Sequence, residues 1–128
     1  LNMLLSEDSE KDLRQVAIMD FKKRKAVFTG ANVPDCHAEM IGDDYIAFGN
    51  LLVGKEVINK MAEQFEGSSG DLALRMVKAL KAGSECGGDR RGERSAAIIV
   101  VSNKRVEKEI MVNVHENPIN ELFRKLKL

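Results

Sequence analysis

The sequence predicts an α+β fold in which antiparallel strands pack against helices. Hairpin patterns occupy residues 15–49, two amphipathic helices follow, and a further strand pair and a terminal helix complete the order. Strand pairs followed by helices are typical of α+β layered folds, because parallel βαβ sheets alternate single strands with helices. A chain of 128 residues is long enough for one hydrophobic core, so we expect a single domain over residues 1–128.

The hairpins are predicted from runs of β-forming side chains separated by polar turns. Four such runs lie in the first half of the chain, at residues 15–20, 25–29, 37–41 and 45–49. Gly30 ends the first pair, and residues 42–44 (Gly-Asp-Asp) supply the turn of the second pair. These positions predict two antiparallel hairpins in succession.

Three later segments repeat apolar side chains at helical spacing, namely residues 57–65, 72–80 and 118–126. We expect Gly67 and Gly83 to end the first two helices, and Ser69 to cap the second. Asn117 is expected to cap the third, with Pro118 as its first residue.

The most apolar run, residues 96–101, has no polar side-chain atom. Such a run predicts an interior strand buried on both faces, with the helices at residues 57–65 and 72–80 packed on one of them. Its partner strand is predicted at residues 109–115, after a polar turn at residues 103–105.

A glycine-rich loop at residues 87–92 precedes this strand and carries Asp89, Arg90 and Arg91. Backbone N–H groups of such a loop, together with arginine, can hold an anion or a carboxylate. In the alternative, the loop is only a tight strand entry, in which Asp89 pairs locally with Arg91 or Arg94. Both interpretations predict at least one glycine with positive φ and a hydrogen-bonded Asp89.

Composition excludes several classes of protein. Twenty basic and twenty acidic residues balance, and aromatic residues make up 5% of the chain, which disfavours nucleic-acid binding. No apolar run is long enough to span a bilayer, so no membrane partner is expected. Two cysteines form no disulfide framework, which favours a cytoplasmic location.

Metal and cysteine chemistry are also disfavoured. Cys36, His37, Cys86 and His115 lack the spacing of a zinc site, so neither a metal nor another cofactor is expected. Cys36 is a poor nucleophile for His37 to activate, because adjacent side chains on a strand point to opposite faces.

Five segments resemble, in order, the family named domain of unknown function 1028. They are RQVAIMD (14–20), AVFTG (26–30), AFGNLL (47–52), GGDRRG (87–92) and HENPINEL (115–122). The resemblance implies an N-terminal-nucleophile (Ntn) hydrolase-like sandwich, in which two antiparallel sheets lie between helical layers (αββα). It also implies that the chain is incomplete and corresponds to the later two-thirds of a family member.

The catalytic nucleophile of an Ntn hydrolase would lie in the family's N-terminal third. Leu1 has no nucleophilic atom. Leu1, Leu4 and Leu5 have helical spacing, which predicts the end of a core-facing helix. We therefore expect the N-terminal segment to be supplied as a separate chain, without which residues 1–128 do not fold alone.

Two hypotheses of function follow from this resemblance. The first is an Ntn-type amidohydrolase that hydrolyses an amide-like bond in a small molecule or peptide, with the nucleophile outside this chain. Stacked sheets would bring Thr29 and Asn50 together at one end of the sandwich, beside the loop of Asp89, Arg90 and Arg91. There the Asn50 amide could donate a hydrogen bond to an oxyanion. In the alternative, Thr29-Gly30 and Gly49-Asn50 only end their strands, because Gly and Asn are ordinary strand terminators. The alternative is a non-catalytic, homo-oligomeric binding or scaffold domain.

Overall fold

The computed structural model describes residues 1–127; residue 128, the last of the predicted domain, lies outside the described part. The elements follow one another as α1 (Asn2–Ser6), a 3₁₀ helix (Lys11–Leu13), β1 (Gln15–Met19), β2 (Lys25–Thr29), β3 (Ala38–Ile41), β4 (Ile46–Gly49), α2 (Glu56–Glu66), α3 (Leu72–Glu85), β5 (Ala96–Val101), β6 (Val106–Val112) and α4 (Pro118–Leu126). The predicted mixed α+β fold with small antiparallel sheets is confirmed.

Each hairpin forms a two-stranded antiparallel sheet within the described residues: β1 with β2, β3 with β4, and β5 with β6. The register sets Gln15 opposite Thr29 in the first sheet and Ala38 opposite Gly49 in the second. β1 lies beside β4, so the first two sheets are neighbours. This arrangement brings the end of β2 close to the end of β4.

One hydrophobic core lies between the β5–β6 hairpin and helices α3 and α4. Its buried side chains come from all four elements and are Ala73, Val77, Ile98, Val112 and Leu122. Val77 and Leu122 have 0% of their surface exposed. Helices α3 and α4 are stabilised because the apolar side of each is buried against the same face of the β5–β6 sheet.

A second core joins α2 to the β3–β4 hairpin, with Ala47, Leu52, Val57 and Ile58 buried. Helices α2 and α3 pack closely at Gly83, where a Cβ atom would lie only 2.7 Å from Met61 Cγ. The prediction that Gly83 ends α3 was wrong: the helix continues to Glu85. A glycine in this position permits the close approach of the two helices.

Two other boundary predictions, the cap of α3 and the bounds of the last strand, were also wrong. Asp71, not Ser69, caps α3, because its carboxylate accepts a hydrogen bond from the N–H of Leu74 at 3.0 Å. Asn117 precedes α4 as predicted but makes no capping hydrogen bond with its side chain. The strand predicted at residues 109–115 is β6, Val106–Val112, which starts and ends earlier than expected.

Burial of β5 on both faces is wrong for the described chain. Ile98 is 5% exposed, whereas its neighbours Ile99 and Val101 are each 52% exposed. Helices α3 and α4 cover only the inward-facing side chains, and β6 pairs along one edge of the strand. Helix α2, which was expected on β5, packs instead against β3, β4 and α3.

The start of the chain is helical, as predicted, but only in part faces the protein. Leu1 and Leu5 are half-buried, whereas Leu4 is 64% exposed. The core-facing position predicted for Leu4 assumed a covering N-terminal segment, so it stays a prediction.

The titration of Tyr45, which lies directly before β4, tests how α2 packs against the β3–β4 hairpin. Its ring meets Phe65 edge to face with centroids 5.4 Å apart, and its hydroxyl donates to the carboxylate of Glu66. Burial, and then the hydrogen bond to Glu66, raises the pKa of Tyr45 to about 12. The neutral phenol is thus favoured by folding.

The pKa of Tyr45 in the folded protein lies above its unfolded value of 10.0. The neutral phenol therefore contributes its full stabilisation below pH 10.0, and this stabilisation is lost as the pH rises through about 12. The chain has one tyrosine and no tryptophan, so the ultraviolet absorbance of phenolate reports on Tyr45 alone. We expect ionisation near pH 12, and a lower midpoint in Glu66→Gln, which removes a neighbouring negative charge. An ordinary tyrosine midpoint in the folded protein would contradict this packing.

Candidate functional site

A polar cluster lies where the first two hairpins meet, and we define it as Gln15, Thr29, Glu39 and Asn50. Gln15 Nε2 donates to Thr29 Oγ1 at 3.2 Å, and Gln15 Oε1 accepts from Asn50 Nδ2 at 3.0 Å. Thr29 Oγ1 in turn donates to Glu39 Oε2 at 2.7 Å. The four side chains therefore form one continuous line of hydrogen bonds.

The strand registers place these residues. Thr29 ends β2 opposite Gln15, and Asn50 directly follows β4, which lies beside β1. Gly30 closes the first hairpin against the 3₁₀ segment, donating its N–H to the carbonyl of Arg14 at 2.8 Å. The expected convergence of the Thr29 and Asn50 strand ends is thus present in the structure.

The hydroxyl of Thr29 is held from both sides. Gln15 donates to its oxygen, and its only proton points to Glu39, a side chain on the exposed side of β3. A carboxylate accepts a hydrogen bond more strongly than water does, so Glu39 holds the hydroxyl proton of Thr29 in one direction. Thr29 and Glu39 together can accept and return a proton.

The glycine-rich loop lies against the backbone that follows Asn50. The N–H of Arg90 donates to the carbonyl of Leu51 at 2.8 Å, and the N–H of Val53 donates to the carbonyl of Gly88 at 3.0 Å. Leu51 has φ of 54°, a left-handed conformation that non-glycine residues adopt at a cost. The loop and the polar cluster are therefore joined through residues 51–53.

The predicted backbone conformation of this loop is confirmed. Gly87, Gly88 and Gly92 have φ of 117°, 56° and 85°. Glycine alone adopts such angles without steric cost. The same three residues allow the chain to turn between the end of α3 at Glu85 and the start of β5 at Ala96.

The loop charges pair locally, as the alternative interpretation expected. Asp89 accepts from the backbone N–H of Arg91 at 2.8 Å, and from its Nε and Nη2 at 3.0 and 2.7 Å. The side-chain hydrogen bonds from Arg91 hold the pKa of the Asp89 carboxyl below its usual range. Arg90 makes no side-chain hydrogen bond or ion pair within residues 1–127, so it is the loop cation available to an anion.

The five residues predicted for the site thus divide into three groups. Thr29 and Asn50 are linked through Gln15, and Arg90 lies on the adjoining loop. Asp89 and Arg91 are engaged with each other and hold the loop in shape. Sequence reasoning missed Gln15 and Glu39; the strand register of the structure sets Gln15 opposite Thr29.

Two other kinds of site find no support in the part of the chain that the structure describes. No three His, Cys, Asp or Glu side chains there are grouped to hold a metal ion. Among the same residues, no helix has the length and apolar character needed to cross a membrane.

The described residues form a mixed α/β fold with small antiparallel sheets and a hydrogen-bonded polar cluster between two hairpins. A model of the family of unknown function DUF1028 matches residues 1–122. The chain belongs to this family, and the resemblance found in the sequence is confirmed.

A solved structure supports the same assignment. The chain is similar to the crystal structure of a DUF1028 protein from Silicibacter pomeroyi, with a TM-score of 0.90 and 31% sequence identity. The match covers 98% of this chain and 54% of that chain, so the sequence spans about half the length of the related structure. No curated protein matches the sequence.

Proposed function

We propose that the protein hydrolyses an amide-like bond in a small molecule or peptide, in an Ntn-hydrolase-like αββα sandwich. The observation that carries this proposal is the line of hydrogen bonds from Glu39 through Thr29 and Gln15 to Asn50. It combines a proton acceptor with an oriented amide donor. Amide hydrolysis needs both, because a proton must move to the leaving amine while the carbonyl oxygen becomes negative.

Each residue has a distinct role in this proposal. The second N–H of Asn50 donates to the carbonyl oxygen of the substrate as negative charge develops there. Glu39 takes up the proton of the attacking group through the hydroxyl of Thr29 and returns it to the leaving nitrogen. Arg90 binds a carboxylate of the substrate from the loop, which Asp89 and Arg91 hold in shape.

The attacking nucleophile is assigned to polypeptide outside the 128-residue sequence. This assignment is supported by the related structure, of which 54% is covered by the match. It is also supported by the exposed outer face of β5, where Ile99 and Val101 are each 52% exposed. A sheet face with such side chains is stabilised when further polypeptide covers it.

The proposal is tested by the hydrolysis of a panel of amides by the natural full-length protein and by Asn50→Ala. Loss of one oxyanion donor is expected to lower kcat by about 100- to 1,000-fold with little change in KM. Asn103→Ala, in the exposed turn between β5 and β6, is the matched control and should leave kcat unchanged. Equal kcat values for the two variants would contradict the role of Asn50.

A homo-oligomeric binding or scaffold domain is the second candidate. The observation that favours it is the same outer face of the β5–β6 hairpin, where Ile99, Val101, Val106 and Met111 are all more than half exposed, at 52%, 52%, 54% and 53%. Sedimentation equilibrium distinguishes the scaffold domain from the hydrolase. The scaffold is supported if the wild type is an oligomer, if Ile99→Glu dissociates it, and if no amide in the panel is hydrolysed.

A further inference from the structure

Gln15 lies at the centre of the polar cluster, half-buried at the start of β1. Three oxygen atoms surround its Nε2: Thr29 Oγ1 at 3.2 Å, the carbonyl of Gly49 at 3.2 Å and the carbonyl of Ala38 at 3.4 Å. Its Oε1 accepts from Asn50 Nδ2 at 3.0 Å. One carboxamide therefore contacts both hairpins and both predicted site residues.

The orientation of this carboxamide is determined by its neighbours. Backbone carbonyls can only accept hydrogen bonds, so the nitrogen of Gln15, and not its oxygen, must face Gly49 and Ala38. The oxygen then faces Asn50, which must present its NH₂ group to Gln15. The orientation of the Asn50 amide is thus fixed by the contacts that Gln15 makes with the backbone carbonyls of β3 and β4.

The remaining hydrogen-bonding capacity of the cluster points outward. Asn50 uses one N–H on Gln15, and its second N–H and its Oδ1 have no side-chain or backbone partner within residues 1–127. The Thr29 hydroxyl donates a hydrogen bond to Glu39 and accepts one from Gln15, which leaves one lone pair on its oxygen. The free groups are therefore one donor and two acceptor oxygens, on two residues that Gln15 contacts directly.

We propose that Gln15 is a positioning residue for amide hydrolysis, holding the Asn50 amide and the Thr29 hydroxyl in the orientation that the substrate carbonyl requires. This inference rests on the proposed function. Gln15 itself touches no reacting atom. It couples the two groups, so that losing its carboxamide releases both Asn50 and Thr29, whereas loss of Asn50 or Thr29 removes only one.

The test compares Gln15→Met with Gln64→Met in the natural full-length protein. Both variants replace a carboxamide with a thioether of similar length, but Gln64 lies on the exposed side of α2. One readout is the side-chain NH₂ signal of Asn50 and its rate of exchange with solvent, measured by NMR. The other is the rate at which an electrophilic amide-hydrolase probe labels the protein.

We expect Gln15→Met to speed exchange of the Asn50 NH₂ protons and to slow labelling by about 10- to 100-fold, since small displacements of positioned groups have effects of this size. Gln64→Met should match the wild type in both. If Gln15→Met leaves both quantities at the level of Gln64→Met, the positioning role is overturned. If the wild type is not labelled at all, the proposed function fails, and the Asn50 exchange rate alone decides the role of Gln15.

A second variant covers the case in which Gln15→Met does not fold. Gln15→Asn keeps a carboxamide but is one methylene shorter, so its amide cannot contact Thr29, Asn50 and the two carbonyls together. We expect this variant to speed exchange of the Asn50 NH₂ protons and to lower labelling by at least about fivefold. Labelling at the wild-type rate would overturn the proposal.

Discussion

Replacing Gly30 with alanine is expected to lower the free energy of unfolding by about 3 kcal/mol. A Cβ atom at Gly30 would lie 2.5 Å from the carbonyl oxygen of Lys11 and would also collide with the carbonyl of Asp12. Backbone atoms cannot move aside as a flexible side chain does. Hydrogen bonds of 2.8 Å from Gly30 to Arg14 and from Asn32 to Asp12 hold this contact in place.

Urea denaturation followed by circular dichroism measures this effect, with Gly54→Ala as the control. A Cβ atom at Gly54 would meet only the carboxylate end of Glu56, which can rotate away. The control should therefore remain within about 1 kcal/mol of the wild type. Equal stability of the two variants would show that the 3₁₀ segment does not pack against Gly30 as described.

Replacing Leu122 with alanine is expected to cost about 2–5 kcal/mol, the range for a buried leucine that leaves a cavity. Leu122 is 0% exposed and lies in the core formed by α3, α4, β5 and β6. The neighbouring side chains on α3, β5 and β6 cannot all move to fill the cavity left by the shorter side chain. Denaturation in urea gives the loss directly, provided that the slope of the transition is unchanged.

Leu72→Ala is the matched control for this substitution. Leu72 is 46% exposed at the first residue of α3, so its truncation removes little buried area. We expect a change below about 1 kcal/mol. A loss at Leu72 as large as the loss at Leu122 would contradict the position of this core.

Local patterns predicted the order of the elements well. Alternating side chains and the glycine at Gly30 located β1 and β2, and helical spacing located α2, α3 and α4. These features depend on neighbours along the chain, which the sequence records directly. Capping was less accurate, since Ser69 and Asp71 are both suitable cap residues and only the helix geometry selects Asp71.

Tertiary packing was harder to predict. The apolar run at residues 96–101 indicates side chains that avoid water, but it does not state which element covers each face of the strand. Gly83 has the same appearance in sequence whether it ends a helix or allows Met61 to approach closely. Both errors arose because the deciding contacts join residues far apart in the chain.

The candidate site was predicted in part. The meeting of Thr29 and Asn50 followed from strand ends together with the family resemblance, whereas Gln15 and Glu39 were missed. Gln15 could have been found from the hairpin register, which sets it opposite Thr29. Glu39 could not, because its hydrogen bond to Thr29 depends on how two separate hairpins lie against each other.

The most direct measurement of amide hydrolysis at this site is the mass of the adduct that an electrophilic amide-hydrolase probe forms with the folded, full-length protein. We predict one adduct per protein, on a nucleophile outside residues 1–128, formed at least about 100-fold more slowly in Asn50→Ala than in Asn103→Ala. The result that would contradict the proposal is the absence of any adduct on the folded protein, or equal labelling of these two variants.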